Sequence, residues 1–113
     1  MVKTMTTEEV KENLDNNKDF VLIDTLMSNS FEARHIPSAE NVPYGNTFLE
    51  DFEKVMDVSK DANIAVYCAS SGCQLSVMAS DVLEKAGYSN VSHFKDGLAG
   101  WMQAGYKFEG EAA

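Results

Sequence analysis

Short apolar runs alternate with amphipathic stretches from one end of the chain to the other. Phe20-Val21-Leu22-Ile23 and Ile64-Ala65-Val66-Tyr67 are bounded by polar residues, the pattern of strands buried on both faces of a parallel sheet. Val91-Ser92-His93-Phe94 reads as a last strand, and Asn41-Val42-Pro43 as a strand of two or three residues. Helical signals fill the intervals. Thr6 and Glu9 have the spacing of a capping box, with Met5 and Val10 placed as a hydrophobic staple, so a helix is expected from there to about Asn16. Ser30 to His35 is weakly helical until Ile36-Pro37 breaks it. Thr47 and Glu50 repeat the cap spacing, and Phe48, Leu49, Phe52, Val55 and Met56 fall on one helical face. Asp57 to Asn63 is a polar turn. Leu75, Met78, Ala79, Val82, Leu83 and Ala86 form a second face, which Gly87 ends. Asp96 to Gln103 reads as a last short helix, with Trp101 its core anchor beside Leu98, Met102 and Phe108.

This alternation predicts an α/β fold: a mostly parallel central sheet with helices on both faces. Ligands of such sheets bind beyond the carboxyl ends of the strands. Asp24 and Cys68 lie at two of those ends, and Lys95 and Asp96 follow a third.

The length of 113 residues suits one domain spanning 1–113, with its core at about 5–108 and an acidic tail, 109–113, expected to be disordered. No apolar run approaches the ~20 residues of a membrane span. Met1-Val2-Lys3-Thr4 lacks a signal-peptide core, so a soluble, cytoplasmic protein is expected. Nine basic against eighteen acidic side chains give a formal charge of −9. That charge repels nucleic acid and anionic membranes, neither of which is expected as a partner, and it disfavours steering of small anions. Two cysteines do not make a disulfide framework and fit a reducing compartment in which thiols are kept for reactivity.

The candidate chemistry sits in Tyr67-Cys68-Ala69-Ser70-Ser71-Gly72-Cys73-Gln74-Leu75-Ser76, where a strand delivers a cysteine into a small-residue loop that opens onto a helix. Unpaired N–H groups and the helix dipole favour an anion there, hence a thiolate at Cys68. The N–H groups of Ala69, Ser70, Ser71, Gly72, Cys73 and Gln74, curled inward as a nest, would stabilise negative charge without a cation. Cys73 has two readings: a resolving thiol for Cys68, or a small hydrophobe at the helix start. Cys-x4-Cys also lies within zinc spacing, but His35 and His93 are isolated from each other, so no metal is expected and each histidine reads as a structural hydrogen-bonder. Asp24 reads as a scaffold for the loop.

Three segments together resemble the rhodanese family. Val21-Leu22-Ile23-Asp24 followed by Phe31-Glu32-Ala33-Arg34-His35-Ile36-Pro37-Ser38-Ala39-Glu40-Asn41-Val42-Pro43 is similar to its first signature, a strand-Asp and a Gly-His-Ile-Pro-Gly-Ala-x-Asn turn, with Arg34 and Ser38 in place of the usual glycines. Val66-Tyr67-Cys68 resembles the active-site entry. Asp96-Gly97-Leu98-Ala99-Gly100-Trp101-Met102-Gln103-Ala104-Gly105 resembles the closing Gly-Gly-x-x-x-Trp-x-x-x-Gly motif.

The resemblance covers about Met5 to Phe108 and implies the single-domain rhodanese fold. It also implies a sulfurtransferase in which Cys68 takes sulfur from a small donor as a persulfide and passes it to a thiol acceptor or a partner protein, with no cofactor. Arg34, His35, Lys95 and Asp24 are its candidate supporting residues.

The loop departs from the common Cys-x-x-Gly-x-Arg-Ser form. Glycine comes four residues after Cys68, the loop reads one residue longer, Gln74 stands near the arginine position, and no basic residue lies between Lys60 and Lys85. Leu26 also stands where the family has an arginine two positions after the strand-Asp. Weak thiosulfate activity and a persulfide or protein-bound donor are therefore expected. Phosphoryl chemistry of the kind found in phosphatase and arsenate-reductase relatives of this fold is disfavoured for the same reason. A thiol redox protein using Cys68 and Cys73, and a noncatalytic rhodanese-like binding module, are the alternatives.

Overall fold

A computed structural model describes residues 2–113 and contains one parallel five-stranded sheet. In chain order the elements are β1 (Lys3–Met5), α1 (Thr7–Asn16), β2 (Val21–Asp24), α2 (Ser28–Ala33), β3 (Glu40–Asn41), α3 (Phe48–Val55), β4 (Ile64–Tyr67), α4 (Leu75–Lys85), β5 (Val91–Phe94) and α5 (Gly97–Gln103). The sheet order is β1-β5-β4-β2-β3, so β4 is central, paired with β2 from Val21↔Ile64 to Asp24↔Tyr67 and with β5 from Ile64↔Val91 to Val66↔His93.

Alternation along the buried strands feeds two cores. Val21, Ile23, Ile64 and Val66 point to the face packed with Phe48, Phe52, Ala79 and Leu83 of α3 and α4. Leu22, Ala65, Tyr67 and Phe94 point to the other, packed with Val10 of α1 and Trp101 of α5. Both faces are buried, which is why β2 and β4 read as unbroken apolar runs.

The first helix starts as its sequence predicts. The Glu9 N–H donates to Thr6 Oγ1 at 3.1 Å, and the Thr6 N–H donates to Glu9 Oε1 at 2.9 Å. Met5 and Val10 belong to one core cluster. The second expected cap does not form: the Thr47 hydroxyl donates instead to Asp51 Oδ2 at 2.9 Å, across one turn of α3. Val55, Met78 and Met102, read as core, are exposed, because each lies at the rim of its helix's apolar stripe. Gly87, at φ +100, ends α4 as expected.

Two terminal segments differ from expectation. Lys3–Met5 is an edge strand, paired in parallel with Ser92, His93 and Phe94. The acidic tail is docked: the His35 and Glu109 backbones exchange hydrogen bonds of 2.8 and 2.9 Å, and the Glu111 and Ala112 N–H groups donate to the carbonyls of Glu32 and Ala33 at 2.8 Å each. His35 Nε2 also lies 3.8 Å from Glu109 Oε1.

Candidate active site

Cys68 follows the last residue of the central strand, so its backbone is held by the sheet on one side and by α5 on the other. The Leu98 and Ala99 N–H groups, in the first turn of α5, donate to the carbonyls of Cys68 and Ala69 at 3.1 and 2.9 Å. This approach requires Gly97, whose φ is +56 and whose missing Cβ would overlap the Cys68 carbonyl oxygen.

Cys68 is 1% exposed and disulfide-bonded to Cys73, with 6.3 Å between the Cα atoms. Cys73 is thus joined to Cys68 rather than packed alone as a hydrophobe. The Cys73 N–H donates to the Ser70 carbonyl at 3.0 Å, which closes a tight turn and takes that N–H out of the anion-facing nest expected for Ala69 to Gln74. Ala69, Ser71, Gly72 and Gln74 are exposed around the bridge, and no side chain caps the start of α4 at Gln74. The N-terminal end of α4 therefore keeps its partial positive charge uncompensated by a side-chain cap, facing the loop.

Beneath the cysteine lies an arrangement that sequence patterning missed. Ser76 Oγ stands 3.3 Å from Cys68 Sγ and 2.8 Å from His93 Nε2, linking the cysteine just after β4 to the imidazole on β5 through the first turn of α4. The inner face of α4 is Ser76, Ala79, Ser80 and Leu83. Of the expected apolar set Leu75, Met78, Ala79, Val82, Leu83 and Ala86, only Ala79 and Leu83 are on this face, and two buried serines take the other places. The i, i+3, i+4, i+7 spacing of these four residues was the available signal. Burial, and then the charge of Lys95, hold His93 below the ordinary histidine range.

The other predicted residues divide. Lys95 is exposed, near enough to act on His93 electrostatically. Asp24 is buried beside Tyr67; its Oδ1 accepts the Leu26 N–H at 2.8 Å, shaping the loop after β2 rather than the cysteine loop. Burial raises its pKa, opposed by that bond, the Tyr67 hydroxyl and the charge of His35. Arg34 packs its guanidinium over Phe108 at 5.3 Å, and His35 stacks on Phe31 with its Nδ1 2.7 Å from the Phe31 carbonyl. Both are engaged by the α2 region and the C-terminal segment, not brought to Cys68. Among the described residues no cluster of His, Cys, Asp and Glu is arranged to hold a metal ion, and no helix is long and apolar enough to cross a membrane.

Comparison with known proteins agrees with this architecture. The model of the rhodanese-like domain matches residues 6–104. The chain belongs to the rhodanese-like family. A Schizosaccharomyces pombe protein named as a mitochondrial thiosulfate sulfurtransferase is 32% identical to this rhodanese-like chain over 94 residues, 75% of this chain and 65% of its own length. MoeZ of Mycobacterium tuberculosis, named as an adenylyltransferase/sulfurtransferase, is 24% identical over 100 residues, covering 88% of this chain and 24% of that protein. The chain therefore spans somewhat less than two thirds of the first relative and a quarter of the second. In structure, a thiosulfate sulfurtransferase from Pseudomonas aeruginosa superposes with a TM-score of 0.80 at 25% identity, over 96% of this chain and 20% of that one. The BH2092 protein of Bacillus halodurans shares the fold with a TM-score of 0.86 at 22% identity, over 97% of this chain and 78% of that one. Both curated relatives carry sulfurtransferase in their names.

Proposed function

We propose that Cys68 carries sulfane sulfur as a persulfide, taken from a persulfide or protein-bound donor and passed to a thiol acceptor. The observation that carries this reading is the placement of Cys68 at the carboxyl end of the central strand, before the uncapped start of α4 and in contact with Ser76. In the reduced protein the Ser76 hydroxyl relays the thiol proton toward the neutral His93 imidazole, and the helix end stabilises the thiolate left behind. That thiolate attacks the outer sulfur of the donor, whose remaining half departs as a thiolate, and the terminal sulfur then sits over the loop. Thiosulfate is a poor donor in this scheme because no loop side chain from Ala69 to Leu75 is cationic. A reducing compartment such as the cytoplasm suits the cycle, since Cys68 must be free to load.

The test is intact-mass spectrometry of the reduced chain after anaerobic treatment with glutathione persulfide, using Cys73→Ser to keep the product from onward reaction. A one-sulfur adduct that maps to Cys68 is expected; a Cys73→Ser chain that stays unmodified, or a Cys68→Ser chain that takes up as much sulfur, would sink the reading.

The relay makes a separate prediction. In a Cys73→Ser background, Ser76→Ala and His93→Gln should each slow alkylation of Cys68 by iodoacetamide at pH 7 about 10- to 100-fold, since a hydrogen bond to a charged group contributes about 1.5–3 kcal/mol. The lowered pKa of His93 keeps the imidazole neutral, and able to accept, at pH 7. The acceptor is lost as pH falls through that pKa, so the pH profile of His93→Gln should follow thiol ionisation alone. Unchanged rates and profiles would make the contact purely structural.

The disulfide favours a second reading, in which Cys68 and Cys73 work as a reversible thiol pair.

A further inference from the structure

The Cys68–Cys73 bond and the persulfide reading have a shared consequence. We infer that Cys73 discharges the persulfide on Cys68, turning the chain from a passive carrier into one that reduces sulfane sulfur to hydrosulfide. The inference rests on the persulfide reading above.

In the step, the Cys73 thiolate attacks the inner sulfur, Cys68 Sγ. A Cys68–Cys73 disulfide bond forms, the bond between Sγ and the terminal sulfur breaks, and the terminal sulfur leaves with the electron pair as hydrosulfide, carrying the proton that Cys73 lost. The two thiol sulfurs are oxidised and the sulfane sulfur is reduced by two electrons. A dithiol reductant restores both cysteines by exchange and becomes a disulfide itself, so each turnover consumes one sulfane sulfur and one dithiol.

Three observations and the chemistry of the persulfide support this direction. The bond between the two Sγ atoms is the product of attack at the inner sulfur, so the fold accommodates the required approach with the Cα atoms 6.3 Å apart. The span between the cysteines is short and exposed at Ala69, Ser71 and Gly72, and even a Cβ added at Gly72 would meet nothing within 4 Å, which leaves room for Cys73 to swing away while the donor enters. No basic residue lies between Lys60 and Lys85, so no cation in the loop holds the terminal sulfur in place. Finally, that sulfur is the charged end of the persulfide: it repels an incoming thiolate, which directs attack inward. Hydrosulfide is also the conjugate base of a stronger acid than a cysteine thiol, hence a competent leaving group. Cys68, 1% exposed beneath Cys73, is covered again once the bridge has formed.

The experiment is an anaerobic single turnover. Reduced protein freed of reductant receives one equivalent of glutathione persulfide, and the chain mass and released sulfide are followed together, the latter trapped with monobromobimane. Wild type should yield sulfide and a chain two hydrogens lighter than the reduced form. Cys73→Ser, with Cys73→Ala as a second variant, should retain the one-sulfur adduct and release sulfide at least ~10-fold more slowly, as expected when an intramolecular thiol is removed. A wild-type chain that keeps its adduct, or serine and alanine variants that release sulfide as fast as wild type, would overturn the discharge while leaving the persulfide reading intact. Absence of any adduct on both Cys73 variants would overturn the persulfide reading itself, and the discharge with it.

Discussion

Gly97→Ala is expected to lower the stability of the chain by about 2–5 kcal/mol and to disorganise the cysteine loop. Gly97 has φ +56, where a residue with a Cβ pays roughly 1–2 kcal/mol. Its new methyl would overlap the Cys68 carbonyl oxygen and stand 3.0 Å from the Cys68 carbonyl carbon and 3.3 Å from that of Ala69. These are backbone atoms of the central strand's end, with no flexible tip to yield, and forced overpacking adds roughly 1–3 kcal/mol. Relief would come from withdrawing α5, which breaks the bonds from Leu98 and Ala99 to the Cys68 and Ala69 carbonyls. Urea denaturation should show the loss, and sulfur loading of Cys68 should fall even in the fraction still folded. Gly72→Ala is the matched control: a Cβ there meets nothing within 4 Å, so it should stay within about 0.5 kcal/mol of wild type. Equal stability for the two variants would show that the α5 clamp does not constrain the loop.

Gln74→Arg is expected to raise kcat/KM for thiosulfate about 10- to 100-fold, while changing the use of glutathione persulfide little. Gln74 is exposed at the junction between the loop and α4. A guanidinium there can meet a sulfonate oxygen pair with two parallel hydrogen bonds, and charge-assisted contacts of this kind contribute about 1.5–3 kcal/mol. The gain should appear mainly in KM and shrink as salt rises, because the new charge sits in water. Steady-state kinetics with a thiol acceptor and a dithiol reductant present would measure it. An unchanged thiosulfate KM would mean that the missing cation is not what limits this donor, and that backbone N–H groups alone set anion affinity in the loop.

The residues that carry these predictions were unequally legible. Cys68 could be located because its strand is buried on both faces and its helix begins within a few residues, a local pattern that leaves little freedom about where the side chain emerges. The same holds for Asp24, placed correctly at the end of β2 although it serves its own loop. Ser76 was invisible as a site residue: a serine in an amphipathic helix reads as polar surface, and only the packing of α4 on the sheet turns it inward between Cys68 and His93. Arg34 and His35 were drawn toward the site by motif position, yet the C-terminal segment holds them. Ser38, in a place where the family has glycine, adopts φ +73, a left-handed conformation that glycine takes at lower cost. That turn reads as a glycine requirement only once its backbone is known.

Periodicity and turn chemistry thus determined, from sequence alone, the parallel α/β fold, the limits of β4 and β5, the capping box of α1 and the place of Cys68 directly after β4. All of these depend on residues close together in the chain. The tertiary structure alone decided what depends on partners far away: β1, whose polar residues become a strand by pairing with β5; the docking of the acidic tail on α2; and the contact of Cys68 with Ser76 and His93. Even the bridge to Cys73, only five residues away, needed it, because spacing permits a disulfide while the curl of the loop determines whether the two sulfurs meet.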